Sequence, residues 1–182
     1  MKEKWILLQK NIMDLAILSL CLLAGLLTVV GFTFSLLFCF LYLSPESSEK
    51  WELLKNRKVL LECALANIGL LVAILILGLN MQLWSELPPV VLVLNSAGAT
   101  FYCFCMLLIV ITFIWYLARG KTFSKILMVE TLVVILKKIP TWIGVYILSF
   151  SLIVLSIICP PLVILSLGIL VRIWDSVYQS AI

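Results

Sequence analysis

The stretch that decides the architecture is Leu15–Leu43, LAILSLCLLAGLLTVVGFTFSLLFCFLYL, 29 uncharged residues between Asp14 and the Ser44-Pro45 stop. A membrane span needs about 20 apolar residues to cross a ~30 Å hydrocarbon core. As one straight helix this stretch would be about 43 Å long, so it must tilt or bend. Gly25 and Gly31 mark the place for a bend, and Thr28 and Thr33 flank Gly31, where they can bond backbone groups that a bend releases.

Three further uncharged stretches follow: Cys63–Ser85, Leu87–Ala118 and Ile139–Val171. The third opens on Pro88-Pro89, and the last is interrupted by Pro160-Pro161, which remove two backbone donors and disfavour helix just before them. The chain is thus expected to be all-α: a polytopic transmembrane helix bundle of four to six membrane segments, near 15–43, 63–80, 90–117, 141–158 and 162–173, in a single integral membrane domain 1–182. Composition agrees, because 64% of the residues are hydrophobic and 12% charged, whereas a soluble domain carries about 45–50% and about 25%.

Charge placement sets orientation. The connection 44–62 holds Lys50, Lys55, Arg57 and Lys58; the connection 119–138 holds Arg119, Lys121, Lys125, Lys137 and Lys138; the connection 80–89 holds no Lys or Arg. The positive-inside rule then puts 44–62 and 119–138 in the cytoplasm and 80–89 outside, for a multi-pass protein of the cell membrane. Lys2, Lys4 and Lys10 also draw the N-terminal residues inward, which a bent first stretch allows and a single crossing does not. The apolar run that follows is far longer than the roughly 7–15 residues of a signal-peptide core, so no cleaved signal is expected.

Both basic connections interleave apolar and charged residues and read as amphipathic helices at the cytoplasmic interface. Trp51, Lys55, Arg57 and Lys58 in the first, and Lys121, Lys125, Lys137 and Lys138 in the second, are either interfacial anchors or a docking surface. Pro140 marks the turn into the following span. The six tryptophans, Trp5, Trp51, Trp84, Trp115, Trp142 and Trp174, lie near segment ends, as in an aromatic belt.

Within the spans, Asn95, Ser96, Gly98 and Thr100 form a run of small and polar residues, and Asn67 with Gly69 forms another. Each is either a helix-packing seam or a ligand contact. Glu62 follows Lys58 by one helical turn and is expected to pair with it at the interface, the alternative being a proton-coupling role that no partner carboxylate supports. Glu130 is expected to pair with Lys137 or Lys138.

Zero histidines exclude Ser-His-Asp and Cys-His catalysis and histidine-bound zinc or haem. The cysteines Cys21, Cys39, Cys63, Cys103, Cys105 and Cys159 lack C-x-x-C spacing and read as small free hydrophobes. Neither phosphate-binding glycine motif is present. No catalytic residue, cofactor or metal site is expected, and the net charge of +4, concentrated at segment ends, does not suggest nucleic acid.

The order of elements resembles the YesL family of small bacterial membrane proteins. The residues that carry the resemblance are Lys10–Leu15, the turn Leu27–Thr33, the basic helix Trp51–Lys58 and the ending Leu136-Lys137-Lys138-Ile139-Pro140-Thr141. The turn here lacks the prolines usual in the family. The resemblance implies an accessory component found with carbohydrate ABC importers and their sensor kinases, and implies no catalytic residues. The expected function is therefore a non-enzymatic membrane accessory or interaction protein, whose partners are the lipid bilayer and a membrane protein or a second copy. The alternative is a small secondary transporter or channel working as an oligomer.

Overall fold

The computed structural model describes residues 2–28, 31–44, 49–82, 88–159 and 162–180. They form α1 (Lys2–Thr28), α2 (Phe32–Leu43), α3 (Glu49–Leu53), α4 (Arg57–Gln82), α5 (Pro89–Ala118), α6 (Lys125–Lys137), α7 (Ile139–Ile158) and α8 (Val163–Gln179), with no strand among the described residues. Ile6–Thr28, Arg57–Leu79 and Pro89–Ala118 are long and apolar enough to cross a membrane; Phe32–Leu43 and Ile139–Ser149 are shorter apolar helices. The chain is an α-helical membrane bundle.

The first stretch is bent, and its sequence shows why. Thr28 Oγ1 donates to the carbonyls of Ala24 (3.2 Å) and Gly25 (3.1 Å) and accepts the Gly31 N–H at 3.2 Å. One threonine thus bonds backbone groups on both sides of the break. Beyond it α2 folds back along α1. Gly25 faces Ser35, Cys39 Sγ donates to the Leu18 carbonyl at 3.6 Å, and Tyr42 Oη donates to Asp14 Oδ1 at 2.8 Å. These three pairs define an antiparallel hairpin. Its second arm, 12 residues, is about 18 Å long, little more than half a ~30 Å core. Thr33 leaves the hairpin and donates to the Cys63 carbonyl of α4 at 3.0 Å.

The first basic connection is divided where one amphipathic helix was expected. α3 is short, and Arg57–Leu61 form the first turn of α4. Asn56 causes the division: its Oδ1 accepts the Lys58 N–H at 3.0 Å and its carbonyl accepts the Leu60 N–H at 3.1 Å, an N-cap that restarts the helix. The second connection does contain a separate helix, α6. Ser124 caps it by accepting the Leu127 N–H at 3.1 Å, and Pro140 lies in the first turn of α7. Upstream, α5 ends in a Schellman turn. Gly120 at φ 77° bonds the Leu117 carbonyl and Lys121 N–H bonds that of Tyr116.

α5 is the centre of the core. Its C-terminal part, with Leu108, Val110, Ile111, Ile114, Trp115 and Leu117, is buried against α2, α4 and α6. Its N-terminal part is open: Val90, Leu92, Leu94 and Phe101 are exposed, as are Val72, Leu75 and Leu79 on α4. In water such a surface would drive aggregation; in lipid it costs nothing.

Burial corrects the belt expectation for three tryptophans. Trp115, Trp142 and Trp174 are interior packing groups. Trp51 is exposed and packs at a tilt against Phe38, with ring centroids 5.3 Å apart. Trp84 and the side chain of Trp5 lie outside the described residues, as do Pro160, Pro161 and residues 83–87 of the 80–89 loop.

Candidate functional site

One polar assembly in the bundle is not revealed by residue spacing, because its members lie far apart in the sequence. Asp14 of α1 accepts Tyr42 of α2, and its other oxygen lies 3.6 Å from Arg172 Nη2 of α8. Five residues further along α1, Ser19 Oγ accepts the Gly168 N–H at 2.6 Å. A Cβ at Gly168 would strike the Leu15 carbonyl, so glycine allows α8 to lie directly on α1.

A second assembly ties α8 to α5. Asp175 Oδ1 accepts Trp115 Nε1–H at 2.8 Å and lies 3.6 Å from Arg119 Nη2, while Oδ2 accepts Gln179 Nε2–H at 2.6 Å. The Arg119 guanidinium also sits 4.9 Å from the Trp115 ring centroid. One turn on, the hydroxyls of Tyr178 and Thr112 are 2.7 Å apart, and the Tyr178 ring contacts Trp115 and Trp142 at 5.3 and 4.8 Å. Thr112 also reaches the Leu108 carbonyl at 2.6 Å, which makes Tyr178 the donor in their pair. Every carboxylate and cation in these two assemblies faces another helix, so they act as interhelical ties.

The residues singled out from sequence are dispersed. Asn67 is buried at 2% exposure, and its Oδ1 has no hydrogen-bond partner. Gly69 and Gly98 adjoin open space, so neither is a point of close helix approach. Ser96 and Thr100 bond carbonyls of their own helix, those of Val93 and Ser96, at 2.8 Å each. Asn95 lies on the same open part of α5, which carries a packed small residue only at Ala99. The close-approach glycines are Gly25 and Gly168 instead, and the only signal for them would have been a helix facing them, which one sequence does not name.

The basic residues also separate. Lys55, Arg57 and Lys58 are exposed around the start of α4, with Trp51 just before them. Lys121 lies 4.7 Å from the Tyr116 ring centroid and pairs with Glu130 at 2.7 Å. That corrects the expected pairing of Glu130 with Lys137 or Lys138, which stand at the α6–α7 junction, away from the α5–α6 loop. Lys125 is exposed in the first turn of α6. The expected Lys58–Glu62 pair is likewise absent. Glu62 Oε2 instead accepts the Phe123 N–H at 3.1 Å and fastens the α5–α6 loop to α4.

That fastening frames a groove of about 740 Å³ between α4, α5 and α6. Leu65, Ala66 and Gly69 form one wall, Met106, Val110 and Phe113 the floor, Met128, Thr131 and Leu132 the other wall. Lys58, Glu62 and Phe123 close one end. Among the described residues, no three His, Cys, Asp or Glu side chains converge as a metal site, and all six cysteines are free thiols.

No family model matches the chain, and no curated protein or solved structure is significantly similar to it.

Proposed function

We propose that this chain is a non-enzymatic accessory protein of the cell membrane, a compact scaffold that presents apolar helix faces to a membrane partner or to a second copy. One observation carries the reading: the half-buried carboxylate of Asp14 and the buried carboxylate of Asp175 are held by cations and hydrogen bonds from neighbouring helices. Charged groups used as ties build a rigid body. Around that body α6 leaves Ile126, Val129, Val133 and Leu136 exposed along one side, a stripe at helical spacing of the kind a partner helix packs on.

In the proposed orientation 44–62 and 119–138 are cytoplasmic and 80–89 lies outside, following the distribution of Lys and Arg. The α1–α2 hairpin then enters from the cytoplasmic side and turns within the membrane, in keeping with its short second arm. The YesL-like order of motifs directs the search for a partner to carbohydrate ABC importers and their sensor kinases.

The test is site-specific photocrosslinking from position 126 or 133 of the full chain in its native membrane. One defined protein adduct, or a dimer of this chain, abolished by Val129→Asp, supports the reading. Lipid adducts alone at both positions reject it.

A second reading, transport by an oligomer, is favoured by the unpartnered Oδ1 of Asn67 deep in α4. Solute flux in proteoliposomes that falls on Asn67→Leu would select it over the scaffold.

A further inference from the structure

We propose that the α4–α5–α6 groove is a lipid site, which takes one acyl chain of an anionic phospholipid from the adjoining leaflet, with the phosphate at the Lys58 end. Three features of the groove lead to this occupant.

The first is its length. Lys58 and Gly69 line opposite ends of the same wall of α4. Eleven residues of helix separate them, about 17 Å. A bilayer core is ~30 Å thick, so one leaflet's chains reach about 15 Å below the headgroups. The groove thus has the depth of a single leaflet along a helix long enough to cross the membrane.

The second is polarity along that length. All ionic groups on the lining, Lys58 and Glu62, are at one end, and the rest is apolar apart from Thr131, whose hydroxyl is engaged by the Leu127 carbonyl at 2.8 Å. The Glu62 carboxylate is drawn toward the α5–α6 loop by the Phe123 N–H. Among the described residues Lys58 has no such partner, and it is exposed, with Lys55 and Arg57 exposed beside it in sequence. The ionic end therefore presents excess positive charge at headgroup level, where each Lys or Arg attracts anionic lipid. A zwitterionic lipid gains less there, and an uncharged ligand gains nothing.

The third is space. The groove's volume of about 740 Å³ lies within the roughly 300–1,000 Å³ of built ligand sites. The space extends to Gly69, where an added Cβ would meet no atom within 4 Å.

The experiment uses the full chain in nanodiscs of equal phosphatidylglycerol and phosphatidylcholine, released into native mass spectrometry. Wild type is expected to retain one phosphatidylglycerol per chain. Gly69→Phe, whose Cβ meets no atom, places a ring in the groove and should lower retention of either lipid about fivefold or more. Lys58→Glu should leave the groove open and reduce the preference for phosphatidylglycerol about fivefold. Gly98→Phe, also into open space but away from the groove, should change neither. Thermal unfolding of each variant confirms that it is folded. Equal retention of both lipids by wild type overturns the proposal, as does retention insensitive to Gly69→Phe. Displacement of the lipid by a free fatty acid at equimolar ratio, or a protein occupying the groove in its place, overturns it too.

Discussion

Gly168 and Ser19 sit backbone to side chain, the Gly168 N–H donating to Ser19 Oγ at 2.6 Å with the Leu15 carbonyl where a Cβ would be. The obstacle is backbone, which cannot rotate away. Gly168→Ala should therefore destabilise the bundle by about 1–3 kcal/mol through overpacking. Ser19→Ala, which only removes the hydroxyl, should cost about 1 kcal/mol. Thermal unfolding in detergent, followed by size exclusion, checks the order; a neutral Gly168→Ala would mean that α8 does not lie on α1.

Asp14 joins α1 to α2 and α8 together. Tyr42→Phe should cost about 1.5 kcal/mol, the worth of a hydrogen bond to a charged acceptor. The Asp14–Arg172 pair, at 3.6 Å with the arginine side chain 35% exposed, is screened and weaker. A double-mutant cycle with Asp14→Asn and Arg172→Met should return a coupling of about 1 kcal/mol or less.

Asp175 is more enclosed, and its loss strands more donors. Asp175→Leu should leave Trp115 Nε1–H and the Arg119 guanidinium without their acceptor and cost about 2–4 kcal/mol. Tyr178→Phe removes a single hydroxyl and should cost about 1 kcal/mol. The test is the ratio of the two shifts in unfolding midpoint, with near-ultraviolet circular dichroism to report the order of the surrounding rings.

The fold was partly legible in advance, and the boundary is physical. Length, charge and prolines revealed the spans, the bend at Gly31 and the separate α6, because each depends on local chemistry. Which face of each helix is inside was not legible. In lipid both faces are apolar, so hydropathy does not separate the packed Leu108–Ala118 part of α5 from the open residues before Leu108. The same ambiguity leaves Gly98 open to a seam or a ligand contact and hides the close approach at Gly168. The ties are not legible in the sequence either, since Asp14 with Arg172 and Trp115 with Asp175 are far apart along the chain and come together only once α8 is in place.

The register of α1 against α8 makes a statement about sidedness. Asp14 meets Arg172 while Ser19 meets Gly168, so the helices are antiparallel and the residues before Asp14 run toward the same end of the bundle as those after Arg172. In a cysteine-free background, Glu3→Cys and Ser180→Cys should show the same accessibility to an impermeant thiol reagent in intact cells. With the proposed orientation both are protected and Glu86→Cys is labelled. Opposite behaviour of positions 3 and 180 would contradict the α1–α8 pairing itself.

That pairing also bears on biogenesis. Ser19 waits 149 residues for Gly168, which at about 5–20 residues per second of synthesis is roughly 7–30 s. During that interval the first hairpin is already made, yet Asp14 has no arginine and the groove left for α8 is open. The nascent bundle is therefore an unfinished vessel that α8 closes. A transcript cut short before Val163 yields a product with Asp14 and Trp115 both lacking their α8 partners, a target that membrane proteases can distinguish from the finished chain.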